Sequence, residues 1–417
     1  MAAPGVASAA AALLNEHRLR MLLRADGEGF TRVEALPRRA SQAPRMLIGR
    51  SAQQALALLP TLYPLSAFAH RSAASAALSS VQGDAAPDSA VQQALLLERL
   101  REQLLPLHRE WPLCMGMAPL QAMLQDIDQA TRTLDGRRVG EQAALRELVE
   151  RRTLGMPAQQ FWQMDSAAQL RRWARDHAHL APARFLAWLA VQPLALGRPR
   201  LPPPLPALQP GQLAPLLLGP DGGEFEAGPQ WQASCRETGA WPEHAQHPLL
   251  RDLAQPGAEP AAALLARFAA RLLDLAHGLL AWCGQSEAPP ALRAAQGTAL
   301  VDTARGLLAY GVALDRGGRI ERCVIVSPAQ WNFHAQGTAV GMLRSIAWTT
   351  PRQVAQSASL VACAVDPYVR CDFVLPAAPR PAAPATRRRR TAATESGSAC
   401  RRGLRGRTCR RGRRPRR

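Results

Sequence analysis

The 417 residues are 47% hydrophobic with 5% aromatic side chains, enough to bury a substantial core in one large domain or two ordinary ones, and rich in helix-forming Ala and Leu. No run of about 18 uninterrupted apolar residues occurs, which argues against a transmembrane helix, and eight scattered cysteines do not form a disulfide framework and suit a reducing cytoplasm. The net charge of +19 is concentrated at one end: residues 380–417 hold 15 Arg and one Glu, so the other 379 carry only +5.

In chain order, residues 1–14 are apolar but have no basic residue ahead of the apolar run, which argues against a secretory signal. Partial alternation in residues 18–24 and 30–36, around Asp26-Gly27-Glu28-Gly29, predicts a β-hairpin. Ile48-Gly49-Arg50 leads into a helix with Ala55, Leu58 and Leu59 on one face, followed by a loop around Ser66. Val91, Leu95, Leu96, Leu100 and Leu104 keep helical spacing, which predicts an amphipathic helix with its charges on the opposite face. Further amphipathic helices are expected near 116–133, 140–152, 158–175 and 181–192. Residues 193–235, with Pro202-Pro203-Pro204 and Asp221-Gly222-Gly223, break the regularity as a surface or functional excursion.

Helical periodicity returns from 261 to 283 through Leu264, Phe268, Leu272, Leu275 and Leu279. A second hairpin follows (307–314 and 320–327 about Asp315-Arg316-Gly317-Gly318), then a helix near 351–364 and a last strand near 368–375. This order predicts a single α+β domain over residues 1–375, a mostly helical body with a small antiparallel sheet formed by hairpins and strands from both chain ends. Residues 376–417 are too polar to offset the entropy of ordering and are expected to be a disordered Arg-rich tail. Such a tail binds polyanions weakly and salt-dependently; its abrupt onset after Leu375 also fits sequence read in a shifted frame.

Five segments carry a more specific signal. They are Tyr63-Pro64-Leu65-Ser66-Ala67-Phe68-Ala69-His70, Glu237-Thr238-Gly239-Ala240, Asp302-Thr303-Ala304-Arg305-Gly306-Leu307, Pro328-Ala329-Gln330-Trp331-Asn332 and Asp366-Pro367-Tyr368-Val369-Arg370-Cys371. Their order resembles that of nickel–iron hydrogenase large subunits. There a C-x-x-C loop follows an amino-terminal hairpin and helix, and E-T-G, A-P-R-G-x-L-x-H, P-x-x-W-N and D-P-C-x-x-C-x-x-H segments come after it. The matches frame most of residues 18–375.

The resemblance implies four thiolate positions, occupied here by Ser66, Ala69, Tyr368 and Cys371, with Val374 at the place of the final histidine and Glu243 at that of the arginine after E-T-G. Soft sulfur ligands select nickel–iron chemistry, and one thiolate of four does not hold such a centre, so the chain is not expected to be an enzyme. Arg305 is retained; in the enzymes it lies over the diatomic ligands of iron, and a guanidinium hydrogen-bonds such groups well.

The chain therefore resembles the hydrogenase expression/formation proteins of the HupK/HoxV type. That implies a hydrogenase large-subunit-like fold and a cytoplasmic scaffold that assembles or transfers an iron unit with cyanide and carbonyl ligands. Cys371 would be its metal ligand and Arg305 its second cofactor-binding group. The partners would be the hydrogenase large-subunit precursor and other maturation proteins, with neither a membrane nor nucleic acid. A chaperone of the precursor that binds no metal is the alternative.

Plainer readings stand beside these. Arg305 would cap a strand or pair with Asp302 or Asp366. Cys371 and Cys363 would be buried apolar thiols, Trp331 would fill the core and Asn332 would satisfy loop amides. Two other classes are a zinc hydrolase built on Cys235, His244 and His247, which lacks a fourth ligand, and nucleic-acid binding through the tail.

Overall fold

The computed structural model describes residues 19–25, 29–35, 43–83, 88–131, 139–194, 196–255, 262–287, 290–366 and 371–375. All of these belong to the unit formed by residues 1–378. Tyr368 and residues 376–417, with the expected tail disorder, lie outside the described residues.

The chain opens with β1 (Leu19–Ala25) and β2 (Thr31–Ala35). Helices α1 (Ala52–Leu62), α2 (Ala67–Gln82) and α3 (Ser89–His108) follow. Next come α4 (Glu110–Cys114), α5 (Gln121–Thr131) and α6 (Val139–Arg146), which continues as a π-helical stretch, Glu147–Leu154. After α7 (Ala158–Trp162), α8 (Ala167–Asp176) and α9 (Ala181–Leu189), the Pro-rich excursion contains α10 (Pro210–Leu218) and α11 (Gly222–Ala227). Then follow α12 (Ala240–Glu243), α13 (Pro248–Leu253) and the long α14 (Ala262–Trp282). Strands β3 (Leu292–Ala295), β4 (Thr298–Thr303), β5 (Gly306–Leu314) and β6 (Ile320–Val326) come next. The rest is α15 (Pro328–Asn332), α16 (Thr338–Arg344), α17 (Pro351–Val365) and β7 (Cys371–Val374).

The α+β class is as the sequence predicts, but among the described residues the strands form two sheets instead of one. β3-β4-β5-β6 is an antiparallel meander. The other sheet has the order β2-β1-β7, and β7 runs parallel to β1, with Leu19 opposite Cys371 and Leu22 opposite Val374. The meander is covered on both faces, which is why its strands do not alternate in sequence. On one face the Ala-rich side of α2 (Ala69, Ala73, Ala77) packs with Val301, Leu308 and Tyr310; on the other Leu213 and Leu217 of α10 pack with Leu300, Ala309 and Val324. Gly311 permits that second approach, because a Cβ there would sit 2.7 Å from Cβ of Leu217. The helical body packs separately around α3, α9 and α14, with Trp111, Phe185 and Phe268 at its centre.

Two segmental expectations change. The 158–175 helix is two helices, α7 and α8, and α2 was not anticipated because its small residues give weak periodicity. Phe373 and Leu375 pack against the helical body. Truncation after Leu375 is therefore expected to leave cooperative unfolding intact, and truncation before Asp366, which removes β7, to abolish it. Thermal melts that are alike for the two deletions would place the domain boundary elsewhere.

Candidate functional site

The site lies where the two packed bodies meet, and α3 supplies its centre. Glu98 and Glu102 are four residues apart, one helical turn, and both reach the start of α2. The Glu98 oxygens accept from the backbone N–H groups of Phe68 (2.9 Å) and Ala69 (2.8 Å), a carboxylate at a helix N-terminus. The Ser66 hydroxyl lies 2.7 and 2.6 Å from the two Glu102 oxygens, and Ser66 itself is left-handed (φ 52°). Glu102 also accepts from Arg305 Nη1 at 2.9 Å, and Ser66, Glu102 and Arg305 are all buried.

Arg305 stands at the β4–β5 turn. Its N–H is held by the Thr303 hydroxyl (3.3 Å), which donates to the Gly306 carbonyl (2.7 Å). Gly306 has φ +123° and lies against Thr238, so that a Cβ there would come within 2.5 Å of the Thr238 hydroxyl oxygen. That hydroxyl accepts from the Leu307 N–H at 2.9 Å. Asn332 grips the same residue, accepting from the Thr238 N–H (3.0 Å) and donating to its carbonyl (2.9 Å). Trp331 is fully buried. Thus Glu237-Thr238-Gly239, the Arg305 turn and Pro328–Asn332 converge, with Asn332 and Trp331 in the structural roles the plainer reading gave them.

Asp366 completes the cluster from the end of α17, where it is a left-handed C-cap. Its Oδ2 is 2.8 Å from Arg271 Nη2 and 3.2 Å from Arg305 Nε. Arg267 pairs with Glu237 through two contacts of 2.9 and 2.5 Å and lies over the Trp241 ring. Arg267, Arg271, Arg305, Asp366 and Asn332 line a void of about 30 Å³, room for a single water.

Behind the void, Arg271 donates to Gln103 (3.2 Å), and Gln103 donates to Asp274 (2.5 Å) and to the Ala304 carbonyl (3.0 Å). Asp274 is paired with Arg99 and lies 2.9 Å from His244 Nε2, while Arg99 also reaches Glu243 at 2.5 Å. Burial pushes the Asp274 carboxyl up, but Arg99 and His244 outweigh it and hold it well below the usual range. His70 is driven down to about 3 by burial. This neutral imidazole stacks on Tyr63 and hydrogen-bonds the Tyr310 hydroxyl at 2.6 Å.

Burial, and then the neighbouring Glu102, raise the Glu98 carboxyl to about 7 against the backbone N–H groups that favour its anion. Because the folded value lies above the unfolded one, Glu98 contributes fully below the ordinary 4.5 and loses that contribution as pH rises through about 7. Glu98→Gln is expected to gain stability over the parent by about 2–3 kcal/mol between about pH 5 and about pH 8. Urea denaturation at the two pH values checks this, and an equal difference at both would refute it.

The sequence-derived candidates divide. Arg305 is central and pairs with Asp366, while Asp302 pairs with Arg293 at 2.6 Å instead. Cys371 is half-buried on β7 against the helical body and does not line the void at Arg305. Ala69 is buried under the meander. Cys235, His244 and His247 do not assemble. The Cys235 thiol, raised to about 11 by burial, faces the Trp331 carbonyl at 3.7 Å, and the two imidazoles contact Asp274 and the Trp162 carbonyl. Among the described residues only Glu243, His244 and Asp274 bring three ligand atoms within 4.8 Å of one another, and Arg99 is already paired with both carboxylates.

Glu98, Glu102, Gln103, Arg271 and Asp274 were missed. The expectation that the charges of α3 face away from its packed side fails for Glu102, which is buried. A signal was present: Arg267, Arg271 and Asp274 follow i, i+4, i+7 spacing in a 21-residue helix whose other residues, His277 apart, are apolar or Gly, which marks a polar stripe turned inward.

No family model matches the chain. It is 30% identical over 360 residues to the hydrogenase expression/formation protein HoxV of Cupriavidus necator, covering 79% of this chain and 90% of the relative. It is 28% identical over 366 residues to the hydrogenase expression/formation protein HupK of Bradyrhizobium diazoefficiens, with coverage of 82% and 92%. Among solved structures, a reduced, active nickel–iron–selenium hydrogenase from Desulfomicrobium baculatum aligns with a TM-score of 0.49 at 12% identity, covering 83% of this chain and 95% of that one. The protein is a relative of hydrogenase expression/formation proteins. Specifically, it belongs to the family that includes HoxV and HupK. Among the described residues no helix is long and apolar enough to cross a membrane.

Proposed function

We propose that this protein acts in hydrogenase maturation as a transient scaffold for an iron unit carrying cyanide and carbonyl ligands, on its way to the large-subunit precursor. The names of its relatives support the role in maturation. One observation carries the finer reading: a single oxygen, Asp366 Oδ2, sits between two buried guanidinium groups, Arg271 and Arg305, at the edge of a void.

An incoming cyanide nitrogen is an anionic acceptor of the same kind. If the cargo displaced Asp366, Arg305 would keep Glu102 and Arg271 would exchange one anionic partner for another, so neither guanidinium would be left buried and unpaired. Cys371, five residues beyond Asp366, is the thiolate assigned to the iron. A void of about 30 Å³ does not hold such a unit while Asp366 is in place, and Ser66 and Ala69 supply no thiolate. The cargo is therefore held loosely and given up readily. With one thiolate of four, hydrogen oxidation is not expected.

The test is vibrational spectroscopy of the protein purified with its maturation machinery. Cyanide and carbonyl stretches are expected in the parent and lost in Arg305→Lys and Cys371→Ser. Their absence from the parent would favour the second reading, a chaperone that engages the precursor without metal. The filled ligand positions at Ser66 and Ala69 speak for that reading.

A further inference from the structure

The Pro-rich excursion singled out in the sequence frames a cleft that shares no lining residue with the void at Arg305. Its volume is about 550 Å³, within the range of built ligand sites. Arg198 and Arg200 line it from the segment before α10, and Arg344 from the last turn of α16. No carboxylate lines it, and none of these three arginines has an ion-pair partner among the described residues. By contrast Arg267, Arg271 and Arg305 each face a carboxylate.

The cleft is held by backbone. The Gly197 N–H donates to the Ser345 carbonyl at 2.6 Å, and a Cβ on Gly341 would lie 2.8 Å from the Arg200 carbonyl oxygen. Pro199, Leu201 and Pro202 add apolar surface, and Ser234, Ser345 and Gln336 add neutral hydrogen-bonding groups. Three like charges gathered without a counter-charge repel one another, and a bound anion relieves that repulsion.

We propose that this cleft binds an extended acidic segment of a partner polypeptide. Arg198 and Arg200 line the cleft two residues apart, and an extended peptide presents the carboxylates of alternate residues on one side about 7 Å apart. A guanidinium takes a carboxylate through two parallel hydrogen bonds, and the apolar strip accepts the intervening side chains. The inference does not depend on any iron cargo.

The test is an anisotropy titration of the full chain with a fluorescein-labelled peptide of alternating Glu and Ala, set beside a labelled oligothymidylate. The Arg-rich tail contributes equally to parent and variants. In the triple variant Arg198→Ala, Arg200→Ala, Arg344→Ala, peptide affinity is expected to fall by roughly tenfold or more while oligothymidylate binding is unchanged. All three side chains are exposed, and circular dichroism verifies that the variant is folded. The proposal is overturned if the parent does not bind the peptide or if the triple variant binds it as tightly as the parent. A parallel loss of oligothymidylate binding would overturn it too, because the cleft would then be a general polyanion site.

Discussion

Arg305→Ala is expected to lower the unfolding free energy by about 3–5 kcal/mol, because it leaves one member of a buried ion pair without its partner. Glu102 is 4% exposed and would keep only the Ser66 hydroxyl of the contacts described above. A loss of maturation in this variant would therefore report instability as much as function. The informative variant removes both charges: Arg305→Met with Glu102→Leu fills similar volume and is expected to recover most of the lost stability. Chemical denaturation measures the recovery, and mature large subunit is measured in the same strains. If the guanidinium holds cargo, the double variant accumulates normally yet fails in maturation. Normal maturation in the double variant would sink the scaffold reading and leave chaperoning by surface contact.

Asp274→Ala is expected to cost as much, about 3–5 kcal/mol. The carboxylate is 2% exposed and takes contacts from Arg99, Gln103 and His244. Removing it leaves Arg99 with Glu243, whose side chain is 38% exposed, leaves Gln103 with its Ala304 and Arg271 contacts, and takes from His244 Nε2 the partner described above. The sign of the pH dependence follows from the depressed folded value. The contribution is complete above the ordinary 3.8 and disappears as pH falls from there toward the folded value. Parent stability should thus fall in acid in a way that Asp274→Asn does not share. Melts of both proteins at about pH 7 and about pH 3 decide it; a parallel loss in the two would show that Asp274 is not the group responsible.

The sequence by itself determined which side chains stand in the five motif-like segments. A missing thiol needs no fold to be missing: Ser66, Ala69 and Arg305 are read directly where the resemblance implies two thiolates and an arginine. It also determined the elements that local signals mark: α14, the β5–β6 hairpin about its Asp315 turn, and α17. There helical spacing or a Gly-containing turn identifies the element without reference to its packing partners.

What only the tertiary structure decided was which groups meet across the chain. Helical periodicity shows that Glu98 and Glu102 share a side of α3, but not that Glu102 meets Arg305 or Gln103 meets Arg271, 203 and 168 residues away. Charged residues were assigned to water because burial without a partner is costly, and the partner is visible only when the distant segments are brought together. Strands β3 and β4 were obscured because both faces of the meander are covered, which removes the alternation that marks a strand. β7 is four residues long, and so short a strand holds nothing that names its neighbour. Its parallel pairing with β1 is set by the way the two chain ends pack on the helical body.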